Sequence, residues 1–111
     1  MEIEPLCRYA VESKASDLFL KSGTAPALRL HGRIISTELP PLTPEDTEQM
    51  AFSLMSERQR QAFQDYHELD LAFTIAGIAR FRCNISQQQN SMALVLRIVP
   101  LEILSLEELN L

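Results

Sequence analysis

Two periods of apolar residues run through this chain, and the changes of period mark its elements. Over residues 2–14, Ile3, Leu6, Cys7, Ala10 and Val11 recur at the spacing of one buried helix face. Pro5 suits the first turn, where its missing N–H is not needed, and Ala15 and Ser16 end the helix. Short apolar strands follow at residues 17–20, 27–30 and 33–36, with residues 21–24 as a loop. Gly32, second in the His31-Gly32 connection, predicts a hairpin between the last two. Pro40 and Pro41 break the sheet. Thr43 then caps a helix with Pro44 in its first position and Glu45 and Asp46 in its first turn. The helical spacing continues through Thr47, Met50, Ala51 and Leu54. Ser56 and Gln59 form the capping box of a second helix, which carries Ala62, Phe63 and Tyr66.

From residue 68 the period drops to two. Leu69, Leu71, Phe73 and Ile75 alternate with polar or small residues, and so do Ala79, Phe81, Cys83 and Ile85. A one-residue slip would expose a whole apolar face, so matching the faces sets the register. Phe73 then lies opposite an odd-numbered residue such as Phe81. The connection is odd, at residues 76–78, with Gly77 at positive φ. Asp70 is expected close to Arg82. Residues 86–91 read as a polar loop. In the last strand, residues 92–98, Met92, Leu94, Leu96 and Ile98 point inward. Face matching puts Arg97 opposite Arg80, or opposite Arg82 if shifted by two. Like charges directly opposite destabilise a sheet, so the cluster needs carboxylates of its own chain, with Glu68 and Asp70 in reach, or an anion from elsewhere.

The resulting order is α-β-β-β-α-α-β-β-β. Short connections make the last three strands an antiparallel meander, so the fold class is α+β. Residues 1–100 form one domain. Ser105 opens another capping box, but only six residues follow it, and so short a helix has little stability alone. Leu104, Leu106, Leu109 and Leu111 need something to pack on. Residues 101–111 therefore read as a linker toward a further domain.

Composition narrows the function. The 111 residues are 46% hydrophobic and 23% charged, with net charge −5, the balance of an ordinary globular domain. General nucleic-acid binding is excluded, because neutralising phosphates takes a basic face; only a local patch can bind anions. Cys7 and Cys83 form no CxxC pair, and His31 and His67 stand alone, so no metal site is expected. No signal-peptide pattern opens the chain and no apolar run reaches membrane-span length. The expectation is a soluble cytoplasmic protein with reduced cysteines and no membrane insertion. Gly23, Gly32 and Gly77 are the only glycines, and none starts a phosphate-binding loop. No serine or cysteine has a histidine nearby in sequence. Catalytic residues are expected to be absent, and Arg80, Arg82 and Arg97 are the candidate site.

Four segments resemble the N-terminal domain of PilT-like type IV pilus retraction ATPases, in the secretion ATPase superfamily. They are Ala15-Ser16-Asp17-Leu18-Phe19-Leu20 with Ser22-Gly23; Pro26-Ala27-Leu28-Arg29-Leu30-His31-Gly32; Glu68-Leu69-Asp70 followed by Ala79-Arg80-Phe81-Arg82-Cys83-Asn84; and Leu96-Arg97-Ile98-Val99-Pro100 leading to Leu106-Glu107-Glu108-Leu109. Two departures mark a divergent paralogue. Phe19 stands where the family pattern has histidine, and residues 87–91 lack the glycines common there. The start of the chain directly at the first helix is more similar to the retraction ATPases than to the extension or secretion ones.

The resemblance implies a PAS-like antiparallel sheet, followed by a RecA-like motor domain beyond Leu111. It implies a homo-hexamer at the pilus base machinery, on the inner face of the cell membrane, in which this domain packs on the motor domain of the neighbouring subunit. ATP and magnesium belong to the full-length family, not to these residues. It also implies that Arg80, Arg82 and Arg97 approach nucleotide phosphates or a subunit interface, for which the planar donor fork of arginine is suited. Two other readings compete: a free-standing PAS-like sensor with a small ligand in its core, and a module that binds proteins through its sheet.

Overall fold

The structure, a computed structural model, describes residues 2–100. The first helix, α1 (Ile3–Glu12), buries Ile3, Leu6, Cys7 and Ala10. It ends two residues before the expected boundary, because Lys14 takes φ 62°. The N–H of Ala15 then donates to the carbonyl of Ala10 and that of Lys14 to Val11. This pair of bonds satisfies the last carbonyls and reverses the chain, delivering it into β1 (Asp17–Lys21).

Next come β2 (Ala27–Leu30) and β3 (Arg33–Ser36), joined by His31 and Gly32, both at positive φ. That is the two-residue turn whose twist matches antiparallel strands. Helix α2 (Pro44–Leu54) is capped by Thr43, whose hydroxyl accepts from the N–H of Asp46 while the Asp46 carboxylate accepts from the N–H of Thr43. Helix α3 (Glu57–Tyr66) has the expected reciprocal cap between Ser56 and Gln59. His67, at φ 60°, turns the chain into β4 (Glu68–Ile75).

The meander continues with β5 (Ala79–Gln88) and β6 (Ser91–Pro100). Phe73 pairs with Phe81 across a three-residue connection, with Gly77 at φ 77°. The polar loop expected at residues 86–91 is instead mostly strand. Gln87 pairs with Met92 and Gln88 with Ser91, around a two-residue turn with Gln89 at φ 48°. Backbone pairing with Ser91 and Met92 carries the ladder on until the turn stops it. The Gln87 N–H also donates to the carbonyl of His67.

All six strands form one antiparallel sheet in the order β3-β2-β1-β6-β5-β4. The expected element order and α+β class are the observed ones. The three helices share one core with a single face of the sheet. Leu18, Leu20, Phe81, Ile85, Leu94 and Leu96 fill it from the strands, and Cys7, Met50 and Phe63 from the helices. Alternation sends the intervening strand residues to the opposite, outer face.

Candidate functional site on the outer sheet face

One cross-strand row crosses this outer face from edge to edge. Ile34 pairs with Arg29, Arg29 with Asp17, Asp17 with Arg97, Arg97 with Arg82, and Arg82 with Ala72. The second of the two expected registers is therefore the real one, with Arg97 opposite Arg82. Arg80 shares their face but lies between Thr74 and Val99. It sits two residues from Arg82 along β5, roughly 6–7 Å away at strand rise.

The counter-charge for this cluster comes from an unexpected place. Asp70 lies opposite Asn84, not Arg82. The Asn84 amide donates to both Asp70 and Glu68 at 3.0 Å, which ties up the two carboxylates expected to balance the arginines. The partner of Arg97 is Asp17, whose Oδ1 accepts from the Arg97 Nε at 3.4 Å. Its other oxygen, Oδ2, forms an ion pair with the Arg29 Nε at 3.2 Å and accepts from the Ser16 hydroxyl at 2.8 Å. Asp17 is only 5% exposed. A buried carboxylate is tolerated only when paired and hydrogen-bonded, and here both oxygens are engaged from opposite sides. The Arg29 guanidinium also lies 5.4 Å from the centre of the Phe19 ring, within cation–π range.

The arginines differ in what holds them. Among the described residues Arg97 is bound only through Nε, and 73% of its side chain is exposed. Arg80 and Arg82 are exposed and have no ion pair or hydrogen bond among the described residues. Asp17, Asp70, Ala72, Arg82, Asn84, Val95 and Arg97 line an open concavity of about 560 Å³. The lining thus brings together two arginines, Asp17, and Asp70 with its Asn84 partner. The arrangement presents planar cationic donors to an outside anion and holds no nucleophile.

Cys83 also borders this concavity. Cys7 and Cys83 are free and buried. Burial, with Glu4 adding to it, pushes the Cys7 thiol up to about 12. Burial, with the neighbouring Cys7 and Asp70 adding to it, pushes Cys83 up to about 12. Neither supplies thiolate at neutral pH. Among the described residues no three His, Cys, Asp or Glu side chains are grouped to hold a metal, and no helix is long and apolar enough to cross a membrane. The buried polar side chains there are Asp17, on the outer face, and Thr47, whose hydroxyl donates to the Pro44 carbonyl. The first faces away from the core, and the second spends its hydroxyl proton on its own helix backbone.

Sequence reasoning missed Asp17, Arg29 and Asn84 as members of the site. The parity of Asp17 against fully buried Leu18 was a usable signal. Its pairing with β6 was not, because that contact spans eighty residues of chain.

No protein-family model matches the chain. It is 40% identical along its whole length to the type IV pilus ATPase PilU of Pseudomonas aeruginosa, covering 29% of that protein. It is 33% identical, again along its whole length, to the type IV pilus retraction ATPase PilT of the same organism, covering 32% of it. The chain thus spans about a third of the length of these relatives. Among solved structures, the pilus retraction motor PilT with bound ADP matches 93% of this chain and 30% of its own, at TM-score 0.83 and 40% identity. The Legionella pneumophila ATPase DotB matches 98% of the chain at TM-score 0.75 and 17% identity, a likeness of fold alone.

Proposed function

From the premise that this chain belongs to the PilT-like ATPases as an N-terminal domain, we propose that it is the assembly and regulatory domain of a hexameric pilus retraction motor, used in twitching motility and inactive alone. Alignment with the N-terminal region of PilT and PilU supports a place in a pilus motor. The domain is PAS-like. Its motor partner is a RecA-like domain that begins after residues 101–111, which lie outside the described residues. ATP and magnesium act on that motor domain, in the cytoplasm, against the pilus base machinery at the inner face of the membrane.

The observation that carries this reading is the outer face itself. Arg82 sits directly opposite Arg97, and Arg80 beside it, with Arg80 and Arg82 lacking carboxylate partners among the described residues. Internal stability gives no reason for that placement. Nucleotide phosphates held by the neighbouring subunit's motor domain, or an acidic surface on it, would supply one.

The test is ATP turnover by the protein carrying its motor domain. Alanine at Arg80, Arg82 and Arg97 together is expected to reduce turnover at least tenfold, the cost of losing about one charge-assisted hydrogen bond in the transition state. The 111-residue chain alone is expected to show none. Full turnover in the triple variant sinks the arginine assignment, and hydrolysis by the chain alone sinks the assignment of a non-catalytic domain.

A further inference from the structure

We infer that Asp17 is a positioning residue for an anion site made by Arg82 and Arg97. This deepens the reading of the arginine face given above and rests on it. The carboxylate is shared between two sides. Its Oδ2 side is taken by Arg29 and Ser16, and its Oδ1 side receives Nε of Arg97. An arginine held at Nε keeps its two terminal nitrogens, and these have no other partner among the described residues. They form the bidentate edge of the guanidinium fork. Arg82 lies directly across the strand pair on the same face, and both side chains border the 560 Å³ concavity.

A 73% exposed arginine on an open sheet would otherwise sample many rotamers, and an anion would have to order it at an entropic cost. The buried, doubly anchored Asp17 removes part of that cost before the anion arrives. It also offsets the repulsion that would drive Arg97 away from Arg82. The ligand class is a phosphate or polyphosphate group, small enough for two adjacent forks.

Positioning and simple electrostatics predict opposite signs for one substitution. Replacing Asp17 by asparagine removes a negative charge beside an anion site, so charge alone predicts tighter binding. Positioning predicts weaker binding. The probe is inorganic pyrophosphate, titrated into the 111-residue chain at low salt and followed by the arginine Nε–H signals in NMR. The wild-type signals of Arg82 and Arg97 are expected to shift together. Arg82→Ala and Arg97→Ala are expected to weaken binding about tenfold, the loss of one charge-assisted bond.

Asp17→Asn is expected to weaken binding severalfold and to move the Arg97 Nε–H signal before any ligand is added. Arg97→Lys keeps the charge at an exposed position where folding is not at risk, but lacks the fork. It is expected to bind as weakly as Arg97→Ala. Equal or tighter binding in Asp17→Asn, or wild-type binding in Arg97→Lys, overturns the positioning role while the anion site stands. No pyrophosphate-dependent shift in the wild-type chain overturns the anion site itself.

Discussion

Asp17 joins three strands through two arginines, and this predicts that Arg29 and Arg97 are energetically coupled although they do not pair with each other. Consider Arg29→Ala, Arg97→Ala and the double variant. A hydrogen bond to a charged group contributes about 1.5–3 kcal/mol when well buried. The Arg29 and Arg97 side chains are 38% and 73% exposed, so solvent screening reduces both contributions. About 1–2 kcal/mol is expected for Arg29→Ala and about 1 for Arg97→Ala. In either single variant Asp17 keeps one guanidinium. In the double variant the 5% exposed carboxylate keeps only the Ser16 hydroxyl. Stranding a buried charge costs about 3–5 kcal/mol. The double variant should therefore lose about 1–2 kcal/mol more than the sum of the singles, well above the roughly 0.5 kcal/mol within which independent sites add.

Urea denaturation of the four proteins measures the cycle, provided the slope m stays constant across them. Repeating it with Asp17→Asn as the background supplies the control, because the neutral amide leaves no charge to strand. There the coupling is expected to fall below about 0.5 kcal/mol. Additive arginine variants, or undiminished coupling in the asparagine background, would show that Asp17 is not the shared partner.

Three further outcomes follow from the fold. Phe81 is fully buried and its ring stacks on Phe73 with centroids 5.1 Å apart; Phe81→Ala should cost about 3–5 kcal/mol in urea midpoints, and Phe73→Ala, half-buried on the edge strand, clearly less. Both thiols are raised from 9.0 to about 12, so the stability they contribute is full below pH 9 and is lost as pH rises toward 12. Each thiol contributes at most about 1.4 kcal/mol per pH unit to that slope, and removing one by Cys83→Ala should flatten the alkaline limb of a pH titration of stability. The Asp46 carboxyl is held below its usual 3.8 chiefly by the Thr43 N–H; its contribution is present in full above 3.8 and is lost as pH falls below that through the lower folded value, and Asp46→Asn should remove this part of the acid limb.

The elements were legible because they are written in local chemistry. Thr43 before Pro44, and Ser56 before Gln59, announce helix starts whatever surrounds them. The alternation from Leu69 to Ile75 and from Ala79 to Ile85, with one odd connection, leaves a single register for β4 against β5. Gln87 and Gln88 were misplaced in a loop because glutamine carries no signal for strand or turn, and only the ladder opposite Met92 and Ser91 decides. The site was half legible. Periodicity placed Arg80, Arg82 and Arg97 on one face and left two registers, which differ by two residues and bury the same side chains. The choice between them, and the identity of the counter-ion, depend on where β1 docks. That docking brings Asp17 to Arg97 from the far end of the chain, and nothing local to either residue encodes it.

The charge layout of the outer face separates what stability explains from what it does not. Asp17 with Arg29 and Arg97, and Asn84 with Glu68 and Asp70, are two sets in which each carboxylate has a partner. Arg82 belongs to neither. It stands between them, opposite Arg97, where cross-strand repulsion costs up to about 1 kcal/mol. An uncharged residue there would leave both sets intact and the sheet no weaker. Among the described residues, then, Arg82, like Arg80 beside it, is a cation for which the fold supplies no partner, and whatever accounts for it must approach from the open side of the sheet. Arg97 faces the same side and is also held from beneath, so it would meet such a partner already ordered. A stabilising effect of Arg82→Gln on the isolated chain, joined to a loss of turnover in a protein carrying the proposed motor domain, would be the signature of that division.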